Sequence, residues 1–213
     1  MDPKTGAILA QASAPTFDPN ISSTITLNKL RNPAVQEVYE PGSTGKVITV
    51  AAALQEGLVT PQSIFTIPYK MKVADEYFHD HEKHPTQRLT TTGLLAVSSN
   101  TGSIQIGQKL GKETLYNYLR KFGIGQSTNS KLPGESAGIL HPVKEWSGTS
   151  LPTIAFGQGY SLTAMQATSV FATIANDGVR VSPSILAGVV DESGKYTPAK
   201  ENESVRVLSS QTA

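Results

Sequence analysis

In the stretch YEPGSTGKVITVAAALQEGL, residues 39–58, Ser43 stands three positions ahead of Lys46, where a Pro-Gly turn gives way to an apolar run. A serine hydroxyl is a poor nucleophile until a neighbour takes its proton. A lysine amine serves as that base when desolvation or nearby positive charge lowers its pKa. On a helix, residues three apart share a face, with Cβ atoms about 5–6 Å apart. The helix N-terminus adds backbone N–H donors and a positive dipole end, which favour negative charge developing near Ser43. The competing assignment makes Ser43 a helix N-cap and Lys46 a solvated charge. A chain of ordinary composition holds about one Ser-x-x-Lys by chance, so these residues alone leave both assignments open. Their context favours chemistry: the first turn of a helix disfavours a cation, and the run after Lys46 is apolar nearly all round.

A second group lies in AVSSNTG, where Ser98, Ser99 and Asn100 fall between two helical segments. A break of this kind can point a hydroxyl and a carboxamide into a cleft. Ser127–Asn129 repeats the Ser-x-Asn pattern, but in a loop after a helix that ends at Gly123. His79, Asp80, His81 and His84 cluster in FHDHEKH and invite a metal site. The segment is polar, runs into a proline and has no helical or strand period, so a solvated loop at a cleft rim is expected and no metal. Glu135 is expected to be a surface-loop carboxylate, and Trp146 a packing residue. GQG at residues 157–159 lacks a nucleotide-loop fingerprint and reads as a turn.

The elements that must position these groups follow from periodicity and punctuation. A helix is expected from about Ser43 to Gln55, stopped by Gly57; apolar on nearly every side, it belongs at the centre of a domain. LTTTGLLAV and TGSIQIGQKLG read as two helices broken at SSN, and KETLYNYLRKFG as a third with Leu115, Leu119 and Phe122 at helical spacing. TAMQATSVFATIANDG is a helix opened by a Thr163/Gln166 capping box and followed by Gly178. DPKTG is a turn, AILAQAS a short strand candidate and residues 14–42 an extended, proline-rich segment. Residues 63–87 hold short strand possibilities, and PSILAGVVDESGKYT a strand leading into a turn.

The 213 residues carry 38% apolar and 16% charged side chains, a globular composition with room for a real core. A net charge of +1 gives no reason to propose nucleic acid as a partner. The absence of cysteine excludes disulfides, zinc-thiolate sites and thiolate nucleophiles. No run approaches the roughly 18 apolar residues of a membrane span, and no secretion signal opens the chain.

EPGSTGK resembles the active-site segment of class B penicillin-binding proteins, the D,D-transpeptidases that cross-link peptidoglycan. In that family Ser-x-x-Lys is followed by Ser-x-Asn and then by Lys-Thr/Ser-Gly. SSN at 98–100 supplies the second motif, and DPKTGAILAQAS, FGIGQSTNSKLPGESAGIL, IAFGQGYSLTAMQ and ANDGV extend the likeness along nearly the whole chain. LPGESAG together with WSG is similar to the cell-division branch found in actinobacteria. The resemblance implies Ser43 as nucleophile, Lys46 as its base, Ser98 as a proton shuttle and Asn100 as the group that holds the substrate's amide carbonyl. It implies an α/β (α+β) serine-transferase fold and no cofactor. It also places GQG near the cleft, shaping the site.

The family's third motif is not matched in its place. Lys4–Gly6 is a literal Lys-Thr-Gly, but it precedes the other two motifs and sits in a turn. Residues 1–213 are therefore expected to form one partial transpeptidase domain, mostly its helical part with the central antiparallel sheet incomplete, cut from a longer protein before that motif. By the resemblance, the implied partners are stem peptides ending in D-Ala-D-Ala, β-lactam antibiotics and other cell-division proteins. The implied location is the extracytoplasmic face of the bacterial membrane, with the parent anchored by an N-terminal helix outside this chain. The motifs leave a serine β-lactamase, a D,D-carboxypeptidase and a non-catalytic sensor or scaffold as alternatives.

Overall fold

A computed structural model describes residues 1–213. In chain order, helix α1 spans Pro33–Gln36 and α2 spans Lys46–Gln55. Strands β1 (Ile64–Ile67), β2 (Lys70–Val73), β3 (Glu76–His79) and β4 (Gln87–Thr90) precede α3 (Thr91–Ala96) and α4 (Asn100–Leu110). Helices α5 (Lys112–Lys121), α6 (Ser150–Ala155) and α7 (Ala164–Ala175) follow, then β5 (Val179–Val181), β6 (Gly188–Val190), β7 (Tyr196–Pro198) and β8 (Ser204–Arg206). No helix is long and apolar enough to cross a membrane.

The core gathers on α2, whose Ile48, Val50, Ala51, Ala52 and Ala53 are all buried. Ile106 and Leu110 of α4, Leu115 and Leu119 of α5, Ile154 and Ala155 of α6 and Val170 of α7 complete one apolar cluster around it. Alanines on α2 leave room for neighbours on several sides, which is why a helix with so weak an amphipathic stripe can be central. Full burial of each branched aliphatic contributes about 1.5–3 kcal/mol. The helix closes at Glu56, with Gly57 at φ +66°, as a glycine in the C-terminal position permits. The Thr163/Gln166 capping box opens α7.

The strands form two nested antiparallel units of the same plan. β1 pairs with β4 and encloses the β2–β3 hairpin; β5 pairs with β8 and encloses β6–β7. Residues 63–87, irregular by sequence, are thus ordered by pairing between segments some 25 residues apart, which local pattern does not encode. The strand expected at AILAQAS is not formed. Ala7 makes a single parallel bridge to Ser184, and beyond Ile8, whose N–H meets the Ser184 carbonyl at 2.9 Å, the segment has no ladder partner. The DPKTG turn is formed, with Gly6 N–H on the Asp2 carbonyl and Lys4 N–H on Asp2 Oδ1.

Candidate active site

Ser43 lies in a 3₁₀ turn, Gly42–Gly45, that feeds directly into α2. The expected helix thus starts one turn late, and Ser43 caps nothing. The Lys46 N–H bonds the Ser43 carbonyl, an i→i+3 bond that eclipses residues three apart. The tighter turn therefore stacks Ser43 over Lys46 more directly than an α-helix would. Ser43 itself is exposed, while Lys46 retains 1% of its accessible surface. The assignment of Lys46 as a solvated charge is thereby excluded.

The buried ammonium Nζ reaches across to the end of α3. It donates to the Ser98 carbonyl and, at 3.0 Å, to Ser98 Oγ. Ser98 adopts φ +58°, a left-handed conformation costly for a residue with a Cβ. This turn joins α3 to α4 and leaves both oxygens of Ser98 toward Lys46. Desolvation pushes the Lys46 pKa down to about 8, and the carboxylate of Asp80 pulls partly the other way. At neutral pH an appreciable fraction is then the free amine, the form able to accept a proton.

Ser99, the middle residue of the motif, is the N-cap of α4, accepting the Gly102 N–H at 2.9 Å. Asn100 is the first residue of that helix and donates Nδ2 to the His79 carbonyl at 3.0 Å. Ser43, Ser98 and Asn100 line one cavity of about 660 Å³ whose walls are mostly polar, including His81, Glu82, Lys83 and His84. The rim loop is not wholly solvated as its composition predicts. Asp80 is buried and accepts from the Ser99 hydroxyl (2.8 Å), the Thr101 N–H (2.8 Å) and the His84 ring (3.0 Å). A carboxylate with that many donors is stable away from water.

The GQG turn, which the resemblance places near the cleft, forms a strap behind Ser43. Gly42 donates to the Gly157 carbonyl at 2.8 Å, and Gly159 N–H donates to Glu40 Oε1 at 2.8 Å. Tyr39 and Leu162 exchange backbone bonds of 3.0 Å. A Cβ on Gly157, at φ +95°, would lie 1.8 Å from the Gly42 carbonyl oxygen, and one on Gly45 would lie 2.3 Å from the Tyr160 hydroxyl. Segment 157–162 therefore clamps the Ser43 turn from behind, and only glycine allows that approach.

The remaining sequence candidates lie elsewhere. Lys4 and Thr5 line a different cavity of about 680 Å³, with Ser184 and Lys200. The Ser127–Asn129 loop is closed on Glu135, which accepts from Ser127 Oγ, Thr128 N–H and Ser130 Oγ. Glu135 is thus a loop anchor rather than a free surface carboxylate. Trp146 packs on the core edge and donates to the His141 carbonyl at 2.9 Å. Sequence reasoning missed Asp80 and Tyr160 as parts of the site. Neither carries a local signal: the Ser99 and Thr101 donors to Asp80 lie 19 and 21 residues away along the chain, and Tyr160 packs against Gly45 from a distant segment.

The model of the penicillin-binding protein transpeptidase domain matches residues 1–213. The chain is 40% identical to penicillin-binding protein PbpB of Mycolicibacterium smegmatis over 214 residues, covering 100% of this chain and 33% of that protein. It is 36% identical to peptidoglycan D,D-transpeptidase FtsI of Escherichia coli K12 over 183 residues, covering 84% of this chain and 30% of that one. Among solved structures, penicillin-binding protein 3 of Mycobacterium tuberculosis in complex with aztreonam superposes with a TM-score of 0.95 at 40% identity. That match covers 100% of this chain and 48% of the other. The chain thus spans about a third of its curated relatives and about half of the solved one. Its mixed helices and strands are part of that fold, and the chain belongs to the penicillin-binding protein transpeptidase family.

Proposed function

We propose that this chain is part of a peptidoglycan D,D-transpeptidase with Ser43 as nucleophile. Ser43 Oγ forms an ester with the penultimate D-Ala carbonyl of a stem peptide while the amide bond to the last D-Ala breaks. The Ser43 proton passes to Lys46, and through Ser98 to the departing amine. Asn100, with one amide proton on the His79 carbonyl, presents the rest of its carboxamide to the substrate backbone. An amine of a neighbouring strand then takes the acyl group and frees Ser43. The observation that carries this reading is the buried Lys46 amine, its pKa lowered to about 8, hydrogen-bonded to Ser98 and one 3₁₀ turn along the chain from an exposed Ser43.

Residues 1–213 form one partial transpeptidase domain in this reading, with the Lys-Thr/Ser-Gly element supplied by sequence outside them. β-Lactams acylate Ser43 and remain, as their ring imitates the D-Ala-D-Ala amide. The M. tuberculosis relative, solved with aztreonam and with ampicillin, supports that class of ligand. The parent acts on the extracytoplasmic face of the membrane, anchored by a helix outside this chain, beside cell-division proteins.

The test is mass spectrometry of the longer protein after treatment with penicillin, compared with Ser43→Ala. An adduct on Ser43 that disappears in the variant is expected. No adduct on the intact protein would end the catalytic reading. An adduct shed within seconds would reassign the protein to a hydrolase with water as acceptor.

A further inference from the structure

Behind the Ser98–Asn100 segment lies a carboxylate that the proposed chemistry does not use. Asp80 directly follows β3 and is 6% exposed. Its N–H bonds the Tyr69 carbonyl at 3.0 Å and its own carbonyl meets His79 Nδ1 at 2.8 Å, so its backbone is fixed. Oδ1 takes the Thr101 N–H, and Oδ2 takes the Ser99 hydroxyl. Those two residues flank Asn100, so one carboxylate grips the chain on both sides of the substrate-facing carboxamide. Only an acceptor with two oxygens can hold both donors, since an amide of the same shape has one.

We propose that Asp80 is the positioning residue of this site, fixing the Ser98–Ser99–Asn100 segment through both carboxylate oxygens while holding a negative charge behind Lys46. This rests on the assignment of Ser43 and Lys46 given above. The two effects are separable. The hydrogen bonds set where Ser98 and Asn100 stand, and the charge opposes the desolvation of the Lys46 amine. The other titratable groups on the cavity wall are His81, Glu82, Lys83 and His84. Of these, His84 faces Asp80 itself. Its ring nitrogens meet two acceptors, the Pro85 carbonyl at 2.8 Å and Asp80 Oδ2 at 3.0 Å. Only the imidazolium donates from both nitrogens. The Pro85 carbonyl first, and then the Asp80 hydrogen bond, hold the His84 pKa above its ordinary value. The protonated ring of His84 therefore lies against Asp80 Oδ2, and it belongs with the charges that face this carboxylate.

Acylation of the full-length protein by a fluorescent penicillin, followed from about pH 6 to about pH 10, separates the two effects. In Asp80→Asn the plateau rate falls about 10- to 100-fold, from misplacement of the loop. The acidic limb moves about one pH unit lower, because the opposing charge has gone. In Ser99→Ala, which loses one of the two bonds but keeps the charge, the plateau falls and the limb stays. Amide hydrogen exchange supplies a readout independent of catalysis: Thr101 N–H exchanges faster in Asp80→Asn and keeps its wild-type rate if Asp80 does not position the segment. Wild-type exchange together with an unmoved limb overturns the proposal while leaving Ser43 acylation intact. A lowered plateau with an unmoved limb in Asp80→Asn also overturns it, reducing Asp80 to a structural group. Loss of the adduct in wild type would instead strike the assignment of Ser43.

Discussion

At Lys46 the protein sets a charged group against its own stability. Taking an ammonium out of water is costly unless it is paired, and here its direct partners are the two oxygens of one serine. The response is a pKa lowered from 10.5 to about 8. The sign of the linkage follows. Across that window the unfolded chain binds more protons than the folded one, so stability rises with pH. Replacing Lys46 with methionine removes that dependence while keeping much of the volume. The melting temperature of wild type relative to Lys46→Met should therefore climb between pH 7 and pH 10, by the equivalent of roughly 1–3 kcal/mol, or several degrees. Calorimetry across that range checks it, and a difference that stays flat or falls would mean that Lys46 is not desolvated as described. The same variant should lose Ser43 acylation at every pH. How far the site could be read from sequence divides at this scale. Ser43 with Lys46 and Ser98 with Asn100 were legible because each pair is local in the chain. Asp80 was not, because a buried carboxylate inside FHDHEKH looks like any polar residue until Ser99 and Thr101 come to meet it.

At the scale of elements, what places Ser43 is less α2 than the strap behind it. The 3₁₀ turn has a glycine at either end, and segment 157–162 lies against both. Gly157→Ala would force a Cβ onto the Gly42 carbonyl and strain a positive φ. About 3 kcal/mol of stability should be lost, with a larger proportional loss of acylation than of folded protein. Thermal melting and penicillin labelling on the same sample test this, and labelling that only tracks the folded fraction would sink the clamp. Tyr160 offers a gentler probe. Its buried hydroxyl has no hydrogen-bond partner, and burial drives its pKa upward. Tyr160→Phe should therefore be neutral or stabilising by about 1 kcal/mol. It should also recover part of the loss caused by Gly45→Ala, whose new Cβ meets that hydroxyl. Strict additivity in this double-mutant cycle would contradict the packing. The helices on either side of the strap were legible from period and caps, Thr163 and Gln166 above all. The strap was legible only in part: the resemblance placed GQG near the cleft, but the sequence records a turn and not the Gly42 carbonyl and Gly45 that the segment touches. The nested strand pairs were hidden for the same reason, their registers being set by partners remote in sequence.

At the scale of the whole molecule, the spatial arrangement bears on the Lys-Thr-Gly at residues 4–6, a literal match to the third motif that lies out of order in the chain. Lys4 belongs to the only Lys-Thr-Gly in the chain, yet it sits in the N-terminal turn and lines a cavity that does not include Ser43. No Lys-Thr/Ser-Gly follows Asn100 within residues 101–213. If that motif carries half of the oxyanion hole, as the family resemblance implies, residues 1–213 alone hold the proposed nucleophile, base and shuttle with incomplete stabilisation of the tetrahedral intermediate. Removing one oxyanion donor typically costs roughly 100- to 1000-fold in rate. The chain by itself should therefore be labelled by a fluorescent penicillin at least that much more slowly than the longer protein, with folding confirmed by circular dichroism on both. Equal rates would show that residues 1–213 already contain every donor the reaction needs. Lys4→Ala then separates the two explanations. In the longer protein it should leave the labelling rate unchanged, since no part of the Ser43 cavity is built from the N-terminal turn. A rate that collapses in Lys4→Ala would mean that the turn closes over Ser43 during reaction, and the third motif would have to be sought at residues 4–6 after all.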